Sequence, residues 1–204
     1  GKWGAIEYKS TLGESGSSHA IAIYGLIRGF TLFIAFPIIG IMQGLMPIIS
    51  FNYGAGNWSR VKETITLGLK WTFSISIVMF SILFFFPDFL IGIFTKDIDL
   101  LAHTPRVLKW IFISLPLIGV GFIGGAYFQA IGKPIPALVL TLARQGLFMI
   151  PLMLIMSNFL GLDGVWFSMP VGEILAGVWA AVWLYMEVNR LPNKKSPLDK
   201  RAFE

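Results

Sequence analysis

The sequence predicts an all-α protein, a polytopic bundle of helices that span a membrane. Of its 204 residues, 55% are hydrophobic and only 13% are charged, whereas a soluble domain usually carries about 25% charged residues. The mean hydropathy is +0.74, and a soluble fold of this length leaves too much surface exposed to hide so many large apolar side chains. The apolar stretches do not alternate with a period of two, which disfavours a β-barrel.

Five stretches are long enough to cross the hydrocarbon core as helices, which takes about 20 apolar residues. They are residues 29–51, whose helix could begin as early as Ala20, and residues 72–94, 110–132, 134–160 and 164–186. Prolines interrupt four of these stretches, at Pro37, Pro47, Pro116, Pro151 and Pro170. Proline removes a backbone donor and bends a helix, and bent helices mark many transporter binding sites.

The arrangement across the membrane follows from the number of spans and the basic residues between them. Five spans place the two ends of the chain on opposite faces. Nine Lys and Arg residues lie on the side of the 52–70 loop, Lys133 and the tail, against six on the other side. Basic loops mark the cytoplasmic face, so the sequence predicts an extracytoplasmic segment or the end of a preceding helix at 1–19, a helical lobe at 20–188 and a cytoplasmic basic tail at 189–204.

Two ionisable residues lie deep in the last two predicted spans. Arg144 follows Pro136 by eight residues and Glu173 follows Val165 by eight, so each lies about 12 Å from its own membrane face. In a core about 30 Å thick the two differ by roughly 6 Å in depth, and their helices are consecutive and antiparallel. We expect either a pair that faces a transport cavity, or a purely structural ion pair, or an arginine that extends to the interface.

Uncharged polar residues and small residues also recur inside the spans. Gln43, Tyr127 and Gln129 either line a cavity or form hydrogen bonds to neighbouring helices. Glycine pairs with GxxxG spacing occur three times, and such pairs let helix backbones approach closely, so we expect them at helix contacts. The pairs are Gly25 with Gly29, Gly40 with Gly44, and Gly121 with Gly125.

Several classes of function lack the residues they need. Cysteine is absent, which excludes disulfides, zinc–thiolate sites and thiol catalysis. No phosphate-binding GxxxxGK[ST] loop or HExxH metal motif is present, and His19 and His103 lie far apart in sequence. Basic residues do not form a face with interleaved aromatic residues, which disfavours nucleic acid. The sequence therefore predicts neither an enzyme nor a resident metal or cofactor.

One segment carries a family resemblance. From Gln43 to Asn57 the chain reads QGLMPIISFNYGAGN, and this resembles the signature that closes a transmembrane helix in the MATE (multidrug and toxic compound extrusion) family, with Pro47, Asn52, Gly54 and Ala55 as the matching residues. Weaker matches follow in the same order as in that family. They are residues 20–26, 127–133, 144–145, 151–152 and 161–166, and Pro170 with Glu173.

The resemblance extends over about residues 19–188 and implies the C-terminal half of such a transporter. It implies five helices of a six-helix lobe and an N-terminal lobe absent from this chain, which begins with Gly1. It also implies an antiporter in the plasma membrane that exchanges Na⁺ or H⁺ for organic cations or drugs, in a cavity between two lobes that Asn52 helps to line. Some members carry an acidic residue in the tenth helix, whereas residues 110–132 contain none.

Three alternatives remain open from the sequence. A flippase for lipid-linked oligosaccharides of the same superfamily is expected to line its cavity with several basic residues, and only Arg144 lies deep. An intramembrane enzyme acting on lipid phosphates needs acidic or histidine residues clustered at one face. A purely structural membrane subunit has no need of the proline-rich spans or of the deep charged pair.

Overall fold

The computed structural model describes residues 2–94 and 108–192, and within them the side chains of 24–93, 108–161 and 164–192. The described chain is helical throughout and contains no strand. Its elements in order are α1 (Lys2–Gly54), α2 (Trp58–Phe85), α3 (Pro87–Phe94), a 3₁₀ turn (Phe112–Ser114), α4 (Leu115–Ala130), α5 (Pro134–Leu142), a π-helical segment (Ala143–Met149) and α6 (Ile150–Arg190).

Five stretches of these helices are long and apolar enough to cross a membrane, as the sequence predicted. We number them as the first to fifth spans: Tyr24–Gly54, Trp58–Phe85, Leu108–Ala130, Pro134–Gly161 and Gly164–Arg190. Large apolar side chains cover their outer faces, and Phe51, Phe85 and Phe159 are among the most exposed. A helix satisfies its own backbone hydrogen bonds, and this is why the chain can present such a surface to lipid.

The second span differs from the prediction at both ends. The sequence analysis treated residues 52–70 as a loop, but the turn is short and α2 begins at Trp58. Its first turns are amphipathic, with Val61, Ile65 and Gly68 buried while Arg60 and Glu63 pair on the exposed side. The helix ends at Phe85 because Pro87 cannot continue it, and residues 87–94 form the separate helix α3.

The ends of the chain fall partly outside the described residues. The backbone of residues 2–19 belongs to α1, so this segment runs into the first span as a continuous helix. At the other end α6 stops at Arg190. Residues 193–204, which hold most of the predicted basic tail, lie outside the described part of the chain, as do residues 95–107 between the second and third spans.

The third span is the centre of the bundle, since α4 packs against α1, α2, α5 and α6. The closest approaches occur at glycines outside the GxxxG pairs. A Cβ on Gly119 would lie 2.8 Å from Cβ of Thr72, and one on Gly177 would lie 2.9 Å from Cβ of Leu117. The GxxxG prediction was wrong in this respect, because a Cβ on Gly25, Gly40, Gly44, Gly121 or Gly125 would meet no described atom within 4 Å.

The prolines act in different ways. Pro37 and Pro47 lie inside α1, and Pro170 lies inside the second part of α6, which is divided at Gly161 by a non-helical φ of 61°. Pro116 lies in the first turn of α4, where its missing N–H leaves no hydrogen bond unmade. Of the five predicted prolines, Pro151 accompanies the largest departure from α-helical geometry, the π-helical segment directly before it.

Candidate functional site

Arg144 lies at the start of the π-helical segment in the middle of the fourth span. Pro151 explains the change of geometry, because its ring clashes with the carbonyl four residues before it and its nitrogen has no hydrogen to donate. The wider turn of a π-helix accommodates such a residue, and π-helical turns are frequent at functional sites. The local sequence therefore places an arginine at an irregular point of a membrane helix.

Glu173 lies on the fifth span and pairs with Arg144. Nη1 of Arg144 is 3.5 Å from Oε1 of Glu173, and the two side chains are 30% and 22% exposed. The pairing that their depths made possible is thus present in the structure. Arg144 also lies over the ring of Phe122, with 5.6 Å between the guanidinium carbon and the ring centroid, an arrangement that attracts a cation to an aromatic face.

The pair faces a cavity instead of being sealed in the core. A cavity of about 180 Å³ is lined by Arg28, Arg144 and Glu173 together with Tyr24 and Gln145. A second hollow of about 250 Å³ shares Arg28, Arg144 and Glu173 in its wall. We call these two together the charged cavity. Its wall comes from the N-terminal halves of the first, third and fifth spans and from the π-helical segment of the fourth, and apolar residues supply most of it.

A neutral hollow of about 160 Å³ also has Arg144 in its wall. It is lined by Gln129, Thr141, Met42 and Phe122 among others. Arg144 therefore lies at a position that borders both the neutral hollow and the charged cavity. The predicted residues Arg144, Glu173 and Gln129 thus line connected regions of one side of the bundle.

The other predicted site residues lie elsewhere. Gln43 is exposed on the first span and lines none of these three hollows. Tyr127 is fully buried and packs edge to face against Phe128, with 5.3 Å between the ring centroids. Its ring fills the core between the spans, and none of the three hollows has Tyr127 in its wall.

Asn52 belongs to the turn between the first two spans. Its amide donates to the carbonyl of Ile48 at 2.8 Å, and its side-chain oxygen accepts from the amide of Asn57 at 3.1 Å. None of the three hollows has Asn52 in its wall, and its place in a cavity between two lobes stays a prediction. The signature residues Gly54 and Ala55 end α1 next to it, and Gly56 turns the chain with a φ of 69°, a conformation that glycine adopts without steric cost.

Arg28 is the cavity residue that the sequence analysis missed. It was counted among the basic residues of one membrane face, because it stands near the start of its predicted span. The signal was its spacing: Tyr24, Arg28 and Thr31 are one helical turn apart and so share a face, and all three line the charged cavity.

The opposite end of the bundle holds a second group of charges. Nζ of Lys133 lies 3.3 Å from Oε2 of Glu187, and Nη1 of Arg190 lies 3.5 Å from Oε1 of the same carboxylate. Lys62 donates to the carbonyl of Leu191 at 3.2 Å, just beyond the end of α6. These contacts join α2, the α4–α5 turn and the end of α6 at one face.

Among the described side chains of residues 24–93, 108–161 and 164–192, no group of three or more His, Cys, Asp or Glu residues lies close enough together to hold an ion. Glu173 instead has a guanidinium as its nearest charged partner.

Comparison with known proteins gives consistent results. The MatE family model matches residues 9–155. The multidrug export protein MepA of Staphylococcus aureus is 31% identical over 179 residues, which are 88% of this chain and 39% of that protein. MepA of Staphylococcus saprophyticus is 30% identical with the same coverage. The chain thus spans about two fifths of the length of these relatives.

Solved structures with the same fold are also found. The MATE multidrug transporter DinF-BH, in complex with the dye rhodamine 6G, is 37% identical, with a TM-score of 0.76 over 90% of this chain and 41% of that one. An outward-facing MATE family transporter of the MOP superfamily is 22% identical, with a TM-score of 0.80 over 86% of this chain and 40% of that one. The latter similarity concerns the fold alone.

Proposed function

Because the chain belongs to the MatE family, we propose that it forms the C-terminal lobe of a secondary multidrug efflux transporter, with an N-terminal lobe completing the cavity. In this proposal Na⁺ or H⁺ moves inward in exchange for organic cations or drugs that move outward. Transporters of this kind bind cargo near the middle of the bilayer between two repeats and expose the site to each face alternately.

One observation carries the proposal: an ion pair lines a cavity in the middle of an otherwise apolar bundle. Charged side chains inside a membrane are costly and mark transport pathways by default. Arg144 and Glu173 are partly exposed within the charged cavity, whereas a structural pair is expected to be closed off by its neighbours. We infer that Glu173 takes part in coupling or contacts cargo, and that Arg144 holds its carboxylate in place.

The cavity has no feature typical of an enzyme that acts on lipid phosphates, since its titratable groups in the described chain are one carboxylate and two guanidiniums besides a tyrosine. The flippase alternative is not favoured either, because the relatives described above are named as multidrug export proteins and multidrug transporters. A cationic dye is a natural first probe, because a structural relative is described in complex with rhodamine 6G.

Gradient-driven flux in liposomes tests the proposal. The two-lobe protein is reconstituted in proteoliposomes, rhodamine 6G is the cargo, and either a Na⁺ gradient or a pH gradient is imposed. We expect one of the two gradients to drive dye movement, and we expect the 204-residue chain alone to move none because one wall of the cavity is missing. Absence of gradient-driven flux in the two-lobe protein, or flux by the chain alone, would refute it.

We further propose that the protein is a multi-pass protein of the plasma membrane with its C-terminus in the cytoplasm. Support comes from the basic end of the bundle, where Arg60, Lys62, Lys133 and Arg190 lie together, since basic residues flank spans on the cytoplasmic side.

Cysteine labelling tests this orientation, because the chain contains no cysteine of its own. A Ser196→Cys variant is expected to react with a membrane-impermeant maleimide only after intact cells are permeabilised. A cysteine at Ser10, on the other side of the five spans, is the matched control and is expected to react without permeabilisation. Labelling of Ser196→Cys in intact cells would contradict the orientation.

A further inference from the structure

The side chains in the wall of the charged cavity carry a net charge of +1. Its wall contains the two guanidiniums of Arg28 and Arg144 and the single carboxylate of Glu173. Among the described residues Arg28 makes no ion pair, and Arg144 reaches Glu173 through one N–O distance of 3.5 Å. A guanidinium has five N–H donors, so both arginines keep donors that no described carboxylate uses.

Arg28 is directed at this cavity by its helix position. Tyr24 and Thr31 lie one turn away on either side of it and line the same cavity. The hydroxyl of Thr31 donates to the carbonyl of Ile27 at 2.8 Å, which uses its proton within the helix. On this face Arg28 and the hydroxyl of Tyr24 are thus the groups whose donors remain for a ligand, and Arg28 is the charged one.

The remainder of the wall is apolar. Ile27, Met149 and Met169 lie beside the arginines in one part of the cavity, and Leu32, Ile38 and Phe122 line the other. A cavity with an excess of N–H donors at one point and apolar walls around it fits a molecule with an anionic group on an apolar body. Guanidinium groups bind carboxylates and phosphates through two parallel hydrogen bonds, which are stronger than hydrogen bonds between neutral groups.

We propose that the charged cavity binds the carboxylate or phosphate group of an amphipathic molecule, with Arg28 as its principal ligand and Arg144 as a second donor held by Glu173. Arg28, unpaired by any described residue, stands beside the Arg144–Glu173 pair in one cavity, and an anion there brings the local charge to zero. This site rests on the proposed function, because its cavity is taken to be part of the transport path. The bound molecule is then either cargo in that path or a membrane lipid whose headgroup enters the cavity. Arg28 is exposed in the first turns of the first span, so its guanidinium is accessible to a ligand that enters the cavity.

The test uses two dyes that differ by one group. Rhodamine 6G has its carboxyl group esterified and is a cation, whereas its free acid carries a carboxylate on the same ring system. Their affinities for the two-lobe protein are measured by fluorescence polarisation in nanodiscs of phosphatidylcholine. We expect Arg28→Gln to weaken binding of the free acid about tenfold, the effect of losing one charge-assisted pair. We expect it not to weaken binding of the cationic ester, because the variant removes a positive charge from the cavity wall.

Two further variants show whether the charge of Arg28 is responsible. Arg28→Lys keeps the charge and is expected to retain most of the affinity for the free acid. Arg60→Gln removes an arginine that is exposed and paired with Glu63 at the other end of the bundle, and it is expected to change neither affinity. Retained binding of the ester shows that each variant is folded.

Adding the anionic lipid phosphatidylglycerol to the nanodiscs shows whether the bound anionic group comes from a lipid headgroup or from soluble cargo. If a headgroup occupies the site, phosphatidylglycerol in the nanodiscs competes with the free acid, and Arg28→Gln lowers the amount of phosphatidylglycerol that is purified with the protein. If soluble cargo occupies the site, the affinity for the free acid does not change when phosphatidylglycerol is present.

The proposal is overturned if Arg28→Gln changes neither binding of the free acid nor retention of phosphatidylglycerol, or if it weakens both dyes equally. The outcome is separate from that of the flux test: dependence of free-acid binding on Arg28 stands even if no gradient drives the ester.

Discussion

Replacing Gly177 with leucine is expected to lower the thermal midpoint of the purified protein by several degrees. Gly177 lies where the fifth span crosses the third, and a Cβ there would lie 2.9 Å from Cβ and 3.1 Å from the carbonyl oxygen of Leu117. One of these neighbours is backbone, which cannot rotate away. Overpacking of this kind costs about 1–3 kcal/mol, and the third span is the element on which the other helices pack. Fluorescence-detected size exclusion after heating measures the midpoint.

Gly40→Leu is the matched control for this prediction. Gly40 also lies inside a span, but a Cβ on it would meet no described atom within 4 Å. The control is expected to keep or raise the thermal midpoint, because leucine is a better helix former than glycine by roughly 1 kcal/mol. The thermal midpoint of Gly177→Ala should fall between those of the wild type and Gly177→Leu. Equal midpoints for Gly177→Leu and Gly40→Leu would show that the close crossing of the third and fifth spans is not required.

The spans and the central pair could be predicted from the sequence because lipid imposes simple constraints on them. A helix must remain apolar for about 20 residues to cross, so four of the five spans were located closely. Two charges in consecutive antiparallel spans at similar depth have few partners other than each other, so residue counting made the contact between Arg144 and Glu173 one of the expected outcomes, and the structure contains it.

Features that depend on packing were not predictable in this way. The charges of Arg60 and Glu63 hid the start of the second span, because one helix face can be polar while Val61 and Ile65 on the opposite face are buried. The GxxxG spacing gives two small residues on one face, but whether another helix crosses there is decided by the whole bundle. The crossing at Gly177 lacks that spacing and was missed.

The roles of the site residues also depend on packing, which residue type alone does not reveal. Arg28 looked like one more basic residue near a membrane face, and only the fold shows that its helix turns it toward Arg144. Asn52 and Tyr127 are polar residues in an apolar context, which is equally expected of turn and core residues. Asn52 serves the turn after the first span, and Tyr127 fills the core.

Glu173→Gln is expected to reduce dye efflux from cells at least about tenfold while membrane abundance falls much less. The amide has the shape of the carboxylate but no charge, so it can no longer take part in coupling as proposed, and it does not balance Arg144. A tenfold loss corresponds to about 1.4 kcal/mol. Efflux of rhodamine 6G and quantitative membrane blots give the two readouts.

Glu63→Gln is the control for the loss of one carboxylate. Glu63 is also paired with an arginine, at 3.1 Å, but both side chains are 64% exposed. Exposed pairs of this kind contribute about 0–1 kcal/mol. The Glu63→Gln variant is therefore expected to match wild type in both abundance and efflux.

The measurement that tests the central claim most directly is efflux by the double variant Arg144→Gln/Glu173→Gln. Removing both members of a buried pair spares the cost of an unpaired charge, so the double variant is expected to reach wild-type abundance. If Arg144 and Glu173 work in the transport path, efflux remains as low as in Glu173→Gln although the protein is present. Recovery of wild-type efflux by the double variant would show instead that the pair only holds the fourth and fifth spans together.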